Sequence, residues 1–162
     1  MIQPLDIVVL EDDQDDVLLL KRAFSENGFE EPLRVFPDAK QAIRFLADRH
    51  AEGASMPGLI LTDLKMPGGD GFALLEWLGE QAQYSVPVIV FTGSAMTDHV
   101  RKAYLLGASA YIRKPQTNDE RRHIVRALVR FWQYCEKPLP LVPGSLAQAT
   151  SHEGSDDVVY EA

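Results

Sequence analysis

The chain has 162 residues, of which 46% are hydrophobic and 25% charged, so it can form one domain with a substantial core. No apolar run approaches the about 20 residues that cross a bilayer, and the start of the chain lacks the pattern of a signal peptide. Cys135 is the one cysteine, which excludes an internal disulfide and fits a reducing cytoplasm. The net charge of −8, without a basic tail, argues against a nucleic-acid binder. Together these features lead us to expect a cytoplasmic protein that binds neither DNA nor membrane.

Short apolar runs alternate with helical patterns along the chain. The apolar runs predict strands at 7–10, 33–36, 58–62, 88–91 and 110–112. Helices are predicted after the capping candidates Asp15 or Asp16, Asp38, Thr97 or Asp98, and Asn118, and another helix from about Gly71. Five strand–helix repeats in order predict an α/β fold, a doubly wound parallel sheet with helices on both faces.

The composition changes after residue 137. Prolines make residues 138–143 extended, and the apolar Leu139 and Leu141 lie between them. From Gly144 onward the chain is small, polar and acidic, without Lys or Arg. We therefore divide the chain into a globular unit, residues 1–137, and a carboxyl-terminal extension, residues 138–162, whose acidic end we expect to be mobile.

Polar side chains follow or end four of the five predicted strands. Glu11 and Asp12 follow the first strand, Asp63 follows the third, Thr92 ends the fourth, and Lys114 follows the fifth. Because the carboxyl ends of parallel strands share one edge of a sheet, we expect these residues to meet in one crevice. Taken alone, Asp63 could be a nucleophile, a metal ligand, both, or a helix cap, and a cap or loop carboxylate is the commonest of these roles.

This set of residue types indicates phosphate chemistry at a metal. Two carboxylates about 4 Å apart repel by roughly 4 kcal/mol at an effective dielectric of about 20, so the acidic cluster needs a proton or a cation. Oxygen ligands favour Mg²⁺ or Mn²⁺ over zinc. Lys114 and Thr92 can then contact a phosphate, and an aspartate can attack phosphorus to form an aspartyl phosphate.

Other charged residues are interpreted as structural. We expect Asp13 to face solvent or to cap a loop. On the last helix, Arg121, Arg122, Arg126 and Arg130 lie opposite the apolar stripe and predict a solvated face.

Four segments resemble the receiver domain of two-component response regulators: IVVLEDDQDD, LILTDLKMPGGDGFALLEWL, PVIVFTGS and GASAYIRKP. They occur in order and cover about residues 5 to 133, nearly all of the globular unit. The resemblance implies a flavodoxin-like sheet with strand order 2-1-3-4-5. It also implies a signalling protein rather than an enzyme, which accepts a phosphoryl group from a sensor histidine kinase and switches partner binding.

By this resemblance, Asp63 is the phosphoacceptor of the chain. Glu11 and Asp12 match the acidic pair that binds Mg²⁺ (or Mn²⁺), together with Asp63 and the backbone carbonyl of Lys65. This implied ligand set consists of oxygen atoms alone, as Mg²⁺ prefers.

The resemblance also assigns the residues that follow the fourth and fifth strands. Thr92 and Lys114 match the two phosphate contacts, and Tyr111 matches the aromatic switch residue whose ring turns inward when Thr92 moves. The bond between Lys114 and Pro115 is implied to be cis.

The segment RALVRFWQYCEKPLPLVP resembles the carboxyl terminus of stand-alone receivers that pair with phytochrome-type histidine kinases. This narrower resemblance implies a homodimer formed by the last helix and the extension, through Phe131, Trp132, Leu139 and Leu141. Two alternatives remain at this stage. One is a pseudo-receiver that only binds partners. The other is an aspartate-based phosphatase of the haloacid dehalogenase type, which needs a second aspartate where this chain has Lys65.

Overall fold

The structure is a computed structural model and describes residues 5–67, 71–81 and 85–136. Strands and helices alternate throughout this part of the chain. The strands are β1 (Ile7–Leu10), β2 (Arg34–Phe36), β3 (Leu59–Thr62), β4 (Val88–Thr92) and β5 (Ala110–Arg113). The helices are α1 (Gln14–Glu26), α2 (Ala39–Ala51), α3 (Gly71–Glu80), α4 (Thr97–Leu105) and α5 (Asn118–Tyr134).

The five strands form one parallel sheet in the order β2-β1-β3-β4-β5, which confirms the predicted fold and strand order. Leu10 of β1 lies opposite Thr62 of β3, and Thr92 of β4 lies opposite Arg113 of β5. This register brings the carboxyl ends of β1, β3, β4 and β5 to one edge of the sheet. The residues that follow these strands therefore lie side by side.

Helices cover both faces of the sheet, so β1, β3 and β4 are buried along their whole length. Successive strand residues point to opposite faces, which divides the core in two. We call one half the α2–α4 side; its buried members include Val8, Leu10, Ile60, Val90, Leu46, Phe72, Leu75 and Ala103. The other half is the α1–α5 side; its buried members include Ile7, Val9, Leu59, Leu61, Leu20, Phe24, Val125 and Val129.

The cap of helix α1 lies before both of its predicted positions. The Asp13 carboxylate accepts hydrogen bonds from the backbone N–H groups of Asp15 at 2.8 Å and Asp16 at 3.3 Å. Asp13 is therefore the cap, because it reaches the first free N–H groups of the helix. The prediction of Asp15 or Asp16 as the cap is wrong, and both side chains are available for other contacts.

Of the predicted caps of the other helices, one is confirmed and the others are wrong. Asp38 caps α2 as predicted. At α5 the cap is Thr117, whose hydroxyl accepts the backbone N–H of Glu120 at 3.2 Å, so the prediction of Asn118 is wrong. Helix α4 starts after Met96 without a side-chain cap, which contradicts both candidates proposed for it.

The end of α5 packs against its own chain. The indole N–H of Trp132 donates to the carbonyl oxygen of Gly58 at 3.1 Å, and the ring contacts the α1–α5 side of the core. The neighbouring Phe131 is 60% exposed. Leu139 and Leu141 lie outside the described residues. None of the described helices is long and apolar enough to cross a membrane.

Candidate functional site

Asp63 follows β3 directly and is buried at the carboxyl edge of the sheet. Its Oδ1 accepts hydrogen bonds from the Thr92 hydroxyl at 2.6 Å and from the backbone N–H groups of Leu64 at 2.6 Å and Lys65 at 3.2 Å. Its Oδ2 accepts a hydrogen bond from the Lys114 ammonium at 2.6 Å. Asp63, Thr92 and Lys114, which the sequence placed at three different strand ends, are therefore in direct contact.

The Lys114 ammonium lies among three carboxylates. It is 2.5 Å from Glu11 Oε2, 2.6 Å from Asp63 Oδ2 and 2.8 Å from Asp16 Oδ2. A lysine ammonium has three N–H donors, so each donor has its own carboxylate acceptor. Glu11 is buried and also accepts the backbone N–H of Asp13 at 3.1 Å. Asp16 was not predicted as a member of the site.

Burial and charge act against each other in the pKa values of this cluster. Burial alone would raise the pKa of Asp63, but hydrogen bonds from Lys114 and Thr92 outweigh it and hold the pKa below its ordinary value. Burial raises the pKa of Glu11 above its ordinary value despite the contact with Lys114. Burial would lower the pKa of Lys114, yet the hydrogen bonds that it donates to Asp16, Asp63 and Glu11 raise it. The site therefore favours an ionised Asp63, the form that can act as a nucleophile.

Gly71 explains why the loop after Asp63 can return so close to β3. A Cβ atom at this first residue of α3 would lie 2.1 Å from the Asp63 carbonyl oxygen and 2.5 Å from the Thr62 hydroxyl. Heavy atoms cannot approach so closely, so only glycine fits without moving the backbone of Asp63. The amino-terminal end of α3 is thus packed directly onto the strand end that carries the carboxylate.

A second set of contacts leads from Thr92 toward α4. The Ser94 N–H donates to the Thr92 hydroxyl at 3.4 Å, and the Ser94 hydroxyl lies 2.8 Å from His99 Nδ1 on α4. The His99 ring packs edge-on against Phe72 with centroids 5.5 Å apart. The Tyr111 hydroxyl donates to the Ser94 carbonyl oxygen at 3.0 Å. Thr92 and Tyr111, the two predicted switch residues, therefore meet at Ser94.

The positions of the acidic side chains determine whether they can hold a metal ion. Within the described ranges, no group of three or more His, Cys, Asp or Glu side chains is spaced to hold a metal ion. Glu11 and Asp63 nevertheless converge on one cation, the Lys114 ammonium, so their oxygens are oriented toward a shared positive charge. Asp12 is half-buried beside them. This oxygen-only donor set fits a hard divalent cation that would displace Lys114 from part of its contacts.

The peptide bond before Pro115 differs from the expectation. No peptide bond in the described part of the chain is cis, so the Lys114–Pro115 bond is trans and the prediction of a cis bond is wrong. Trans is the lower-energy form of an X–Pro bond by about 0.5–1 kcal/mol. In this conformation the Lys114 N–H donates to the Thr92 carbonyl oxygen at 2.8 Å, and its side chain reaches the carboxylates.

Arg121 also differs from its prediction as part of a solvated face. It is 6% exposed, and its guanidinium donates to Asn118 Oδ1 at 3.0 Å and lies 3.6 Å from Asp16 Oδ1. Arg122, in contrast, is 44% exposed at its side chain, as expected. The difference arises because Arg121 points at the junction of α1 and α5. Helical periodicity alone does not reveal that junction.

A family comparison agrees with this geometry. The family model of the response regulator receiver domain matches residues 7–126. The chain therefore belongs to the response regulator receiver family, and the resemblance inferred from its motifs is confirmed. Members of this family are signalling proteins of two-component systems.

Curated relatives align along most of the chain. The probable methanogenesis regulatory protein FilR2 of Methanothrix harundinacea is 29% identical over 130 residues, which are 80% of this chain and 84% of FilR2. The response regulator Rre1 of Synechocystis is 30% identical over 130 residues, again 80% of this chain but 53% of Rre1. The chain thus spans most of one relative and about half of the other.

Solved structures of response regulators share the fold. The phosphorylated cyanobacterial phytochrome response regulator RcpA has a TM-score of 0.74 and 27% identity, with 83% of this chain and 98% of RcpA covered. The Mn²⁺-bound response regulator Rcp1 has a TM-score of 0.74 and 27% identity, with 84% and 100% covered. RPA3017, from red light signalling in R. palustris, has a TM-score of 0.74 and 28% identity, with 83% and 98% covered. The match extends over nearly the whole length of these three proteins.

Proposed function

We propose that this protein is a phosphorylation switch in which Asp63 accepts a phosphoryl group from a phosphohistidine of a sensor histidine kinase. One observation carries the proposal: the buried Asp63 carboxylate receives the Thr92 hydroxyl on one oxygen and the Lys114 ammonium on the other. In the transfer, an Asp63 oxygen bonds to phosphorus as the phosphorus–nitrogen bond breaks. The bonding electrons return to the imidazole ring of the kinase.

Glu11, Asp12, Asp63 and the backbone carbonyl of Lys65 would hold a Mg²⁺ or Mn²⁺ ion at this edge. When bound, the ion supplies positive charge that neutralises the phosphoryl oxygens. Two facts support this assignment. Glu11 and Asp63 already share one cation in the structure, and the similar protein Rcp1 was solved with Mn²⁺ bound.

Lys114 and Thr92 orient and stabilise the transferred group. Each is within hydrogen-bond distance of Asp63, so each can donate to an oxygen of a phosphoryl group attached there. Burial strengthens both interactions because the surroundings have a low effective dielectric. A lysine ammonium acts here as a point charge, while the threonine hydroxyl supplies a directed donor.

The contacts of Thr92 support an output on the face formed by α4, β5 and α5. If Thr92 turns from Asp63 to a phosphoryl oxygen, the position of Ser94 must change, since Ser94 donates to the Thr92 hydroxyl. His99 and Tyr111 both contact Ser94, so they connect this change to α4 and β5. We propose that these contacts shift a two-state equilibrium that alters affinity for a partner.

The partner kinase is proposed to be of the phytochrome type, because several structural neighbours are phytochrome response regulators. We also propose a homodimer formed by the end of α5 and the extension, residues 138–162. Phe131 is 60% exposed and Tyr134 90% exposed, which leaves aromatic surface there for a second copy. Trp132 supports α5 from inside the chain instead.

Mass spectrometry of the intact protein tests the phosphorylation. The protein is incubated with acetyl phosphate and Mg²⁺, beside Asp63→Asn and the control Asp98→Asn. Asp98 is a solvent-exposed aspartate on α4. We expect one added phosphoryl group in the native protein and in Asp98→Asn, and none in Asp63→Asn. An unmodified native protein under all conditions would support the pseudo-receiver and overturn the proposal.

The same samples separate the phosphatase alternative. A phosphatase would release phosphate from many esters over multiple turnovers, whereas a switch consumes about one donor for each cycle of its own phosphorylation. For the dimer, truncation after Glu136 should lower the mass measured by light scattering. An unchanged mass, together with an unchanged mass of Phe131→Ser, would contradict a dimer at this end of α5.

A further inference from the structure

Asp16 lies in the first turn of α1, between the predicted site and α5. Its Oδ2 is 2.8 Å from the Lys114 ammonium and its Oδ1 is 3.6 Å from the Arg121 guanidinium. One carboxylate therefore contacts two cations that belong to different elements. Neither the motifs nor the comparisons assign Asp16 a role.

The three carboxylates around Lys114 are not equivalent. Glu11 and Asp63 belong to the proposed metal ligands, and Asp16 does not. A divalent cation on Glu11 and Asp63 would compete with the ammonium for their oxygens and repel it, since like charges at about 4 Å interact by several kcal/mol at an effective dielectric near 20. Asp16 is then the acceptor that can still hold Lys114 at the crevice.

Arg121 fixes Asp16 from the opposite side. A guanidinium that is 6% exposed is costly without an anionic partner, and Asp16 is the carboxylate within ion-pair distance of it in the described part of the chain. Arg121 is itself oriented by its hydrogen bond to Asn118 at 3.0 Å. The side chain of Asp16 is therefore held by α5 while its other oxygen receives Lys114.

We infer that Asp16 is a positioning residue, which keeps the Lys114 ammonium directed at the Asp63 phosphoryl site while leaving Glu11 and Asp63 free to bind a divalent cation. Arg121 is the anchor of Asp16. This inference rests on the proposed function, because it concerns the same site. It goes further in naming the carboxylate that would retain Lys114 when a divalent cation takes its place on Glu11 and Asp63.

The first test needs neither metal nor phosphate. ¹⁵N relaxation of the Lys114 side-chain nitrogen is compared in the native protein, Asp16→Asn and the matched control Asp15→Asn, which removes the same charge from an exposed neighbour. We expect the ammonium to be equally ordered in the native protein and in Asp15→Asn, and less ordered in Asp16→Asn, where Glu11 and Asp63 are its two remaining carboxylate acceptors. Equal order in both variants would overturn the inference, whatever the outcome of the phosphorylation assay.

The second test separates positioning from simple charge removal. Mg²⁺ affinity is measured by calorimetry for Asp16→Asn and Asp15→Asn, each alone and combined with Lys114→Met. We expect Asp16→Asn to weaken Mg²⁺ binding about fivefold more than Asp15→Asn, a coupling of the size found within one charge network. This excess should vanish in the Lys114→Met background. An excess that persists without Lys114, or no excess at all, contradicts the role.

Arg121→Met completes the test, because it leaves the charge of Asp16 in place. We expect Lys114 to become more mobile and Mg²⁺ binding to weaken by about twofold, less than in Asp16→Asn. Arg122→Met, one residue along α5 and more exposed, should change neither quantity. If native protein binds no Mg²⁺, the proposed metal site fails, and the relaxation data still decide whether Asp16 positions Lys114.

Discussion

The two sides of the sheet reach Asp63 by different chemistry. From the α1–α5 side come charges: Lys114 contacts Asp63 directly, and behind it Asp16 links to Arg121. From the α2–α4 side come neutral groups: Thr92 donates to Asp63, and Ser94, His99 and Tyr111 follow through single hydrogen bonds. A charged network holds one oxygen of the carboxylate, and a neutral network holds the other.

This difference separates two tasks that one site must perform. Charge-assisted hydrogen bonds are roughly twice as strong as neutral ones, so the α1–α5 side is suited to hold a fixed positive charge. Beyond the contact of Thr92 with the Asp63 carboxylate, the hydrogen bonds of the α2–α4 side join uncharged groups and contribute about 1 kcal/mol each, so this side can rearrange at low cost. We therefore expect the charged network to govern the binding of cations and phosphate, and the network through Ser94 to carry the output.

The largest effect should come from breaking the α2–α4 side where it meets Asp63. Gly71→Ala places a Cβ atom 2.1 Å from the Asp63 carbonyl oxygen, so the start of α3 must move. We expect the free energy of unfolding to fall by about 3 kcal/mol, at the upper end of overpacking effects, as measured in urea. Gly79→Ala on the same helix meets no atom within 4 Å and should instead stabilise slightly. Equal effects of the two substitutions would contradict the close approach.

The next effect comes from removing the central charge of the α1–α5 side. Lys114→Met leaves Glu11, Asp16 and Asp63 without their shared cation. We therefore expect the free energy of unfolding, measured in urea at neutral pH without metal, to fall by about 2–3 kcal/mol. Mg²⁺ should restore much of this loss, because it supplies the missing positive charge. Lys102→Met, which breaks an exposed pair with Glu76, should cost under about 1 kcal/mol and show no Mg²⁺ rescue.

A smaller loss of stability should follow from removing the hydroxyl group that donates to Asp63. Thr92→Val removes the hydroxyl that donates to Asp63 at 2.6 Å and keeps the shape of the side chain. We expect the free energy of unfolding, measured by chemical denaturation, to fall by about 1–2 kcal/mol, because a buried carboxylate oxygen loses a hydrogen-bond donor. Phosphorylation of Thr92→Val should still occur but should no longer change the chemical shift of the His99 ring. A phosphorylated variant with a native-like His99 response would remove Thr92 from the output.

The smallest differences in stability should appear when the metal-free protein is titrated with acid. The pKa values of Asp63 and Glu11 are shifted in opposite directions, so the two groups change stability with pH in opposite directions. The pKa of Asp63 is lowered from 3.8, so its contribution to stability is present above pH 3.8 and is lost as the pH falls through the lowered pKa. The pKa of Glu11 is raised from 4.5, so its ionisation costs stability as the pH rises above 4.5.

Two variants separate the pH dependence of stability that each carboxylate contributes. Relative to Asp63→Asn, the native protein should lose stability as the pH falls below 3.8. Relative to Glu11→Gln, it should lose stability as the pH rises above 4.5. Thermal unfolding from pH 2.5 to 7 measures both slopes. Parallel slopes would mean that the two carboxylates share one environment, against the structure.

The sequence predicted the part of the site that depends on strand ends. Residues at the carboxyl ends of parallel strands must meet at one edge, so Glu11, Asp63, Thr92 and Lys114 could be grouped without coordinates. The alternation of apolar runs and helical patterns was likewise enough to predict a parallel α/β sheet, whereas the strand order came from the family resemblance. These features depend on local pattern and on general rules of topology.

The helical members of the site could not be predicted in the same way. Asp15 and Asp16 are adjacent acids, and successive helix residues point about 100° apart, so only the packing of α1 on α5 decides which one faces Lys114. Arg121 and Arg122 differ for the same reason. The cap of α1 was also ambiguous, because Asp13, Asp15 and Asp16 are all suitable residue types for that position.

Helix α5 is attached to the rest of the molecule at both of its ends. Near its start Arg121 reaches Asp16 beside the phosphoacceptor edge, and near its end the Trp132 indole is bound to Gly58, just before β3 and at the opposite edge. This helix has 17 residues and is about 25 Å long, and the two contacts hold it near both ends. The helix can tilt only when one of these contacts opens. Between these ends Asn27, at the end of α1, contacts Arg122 and Arg126 of α5, so loosening Arg121 would release the first turn of the helix while its middle and its end stay attached.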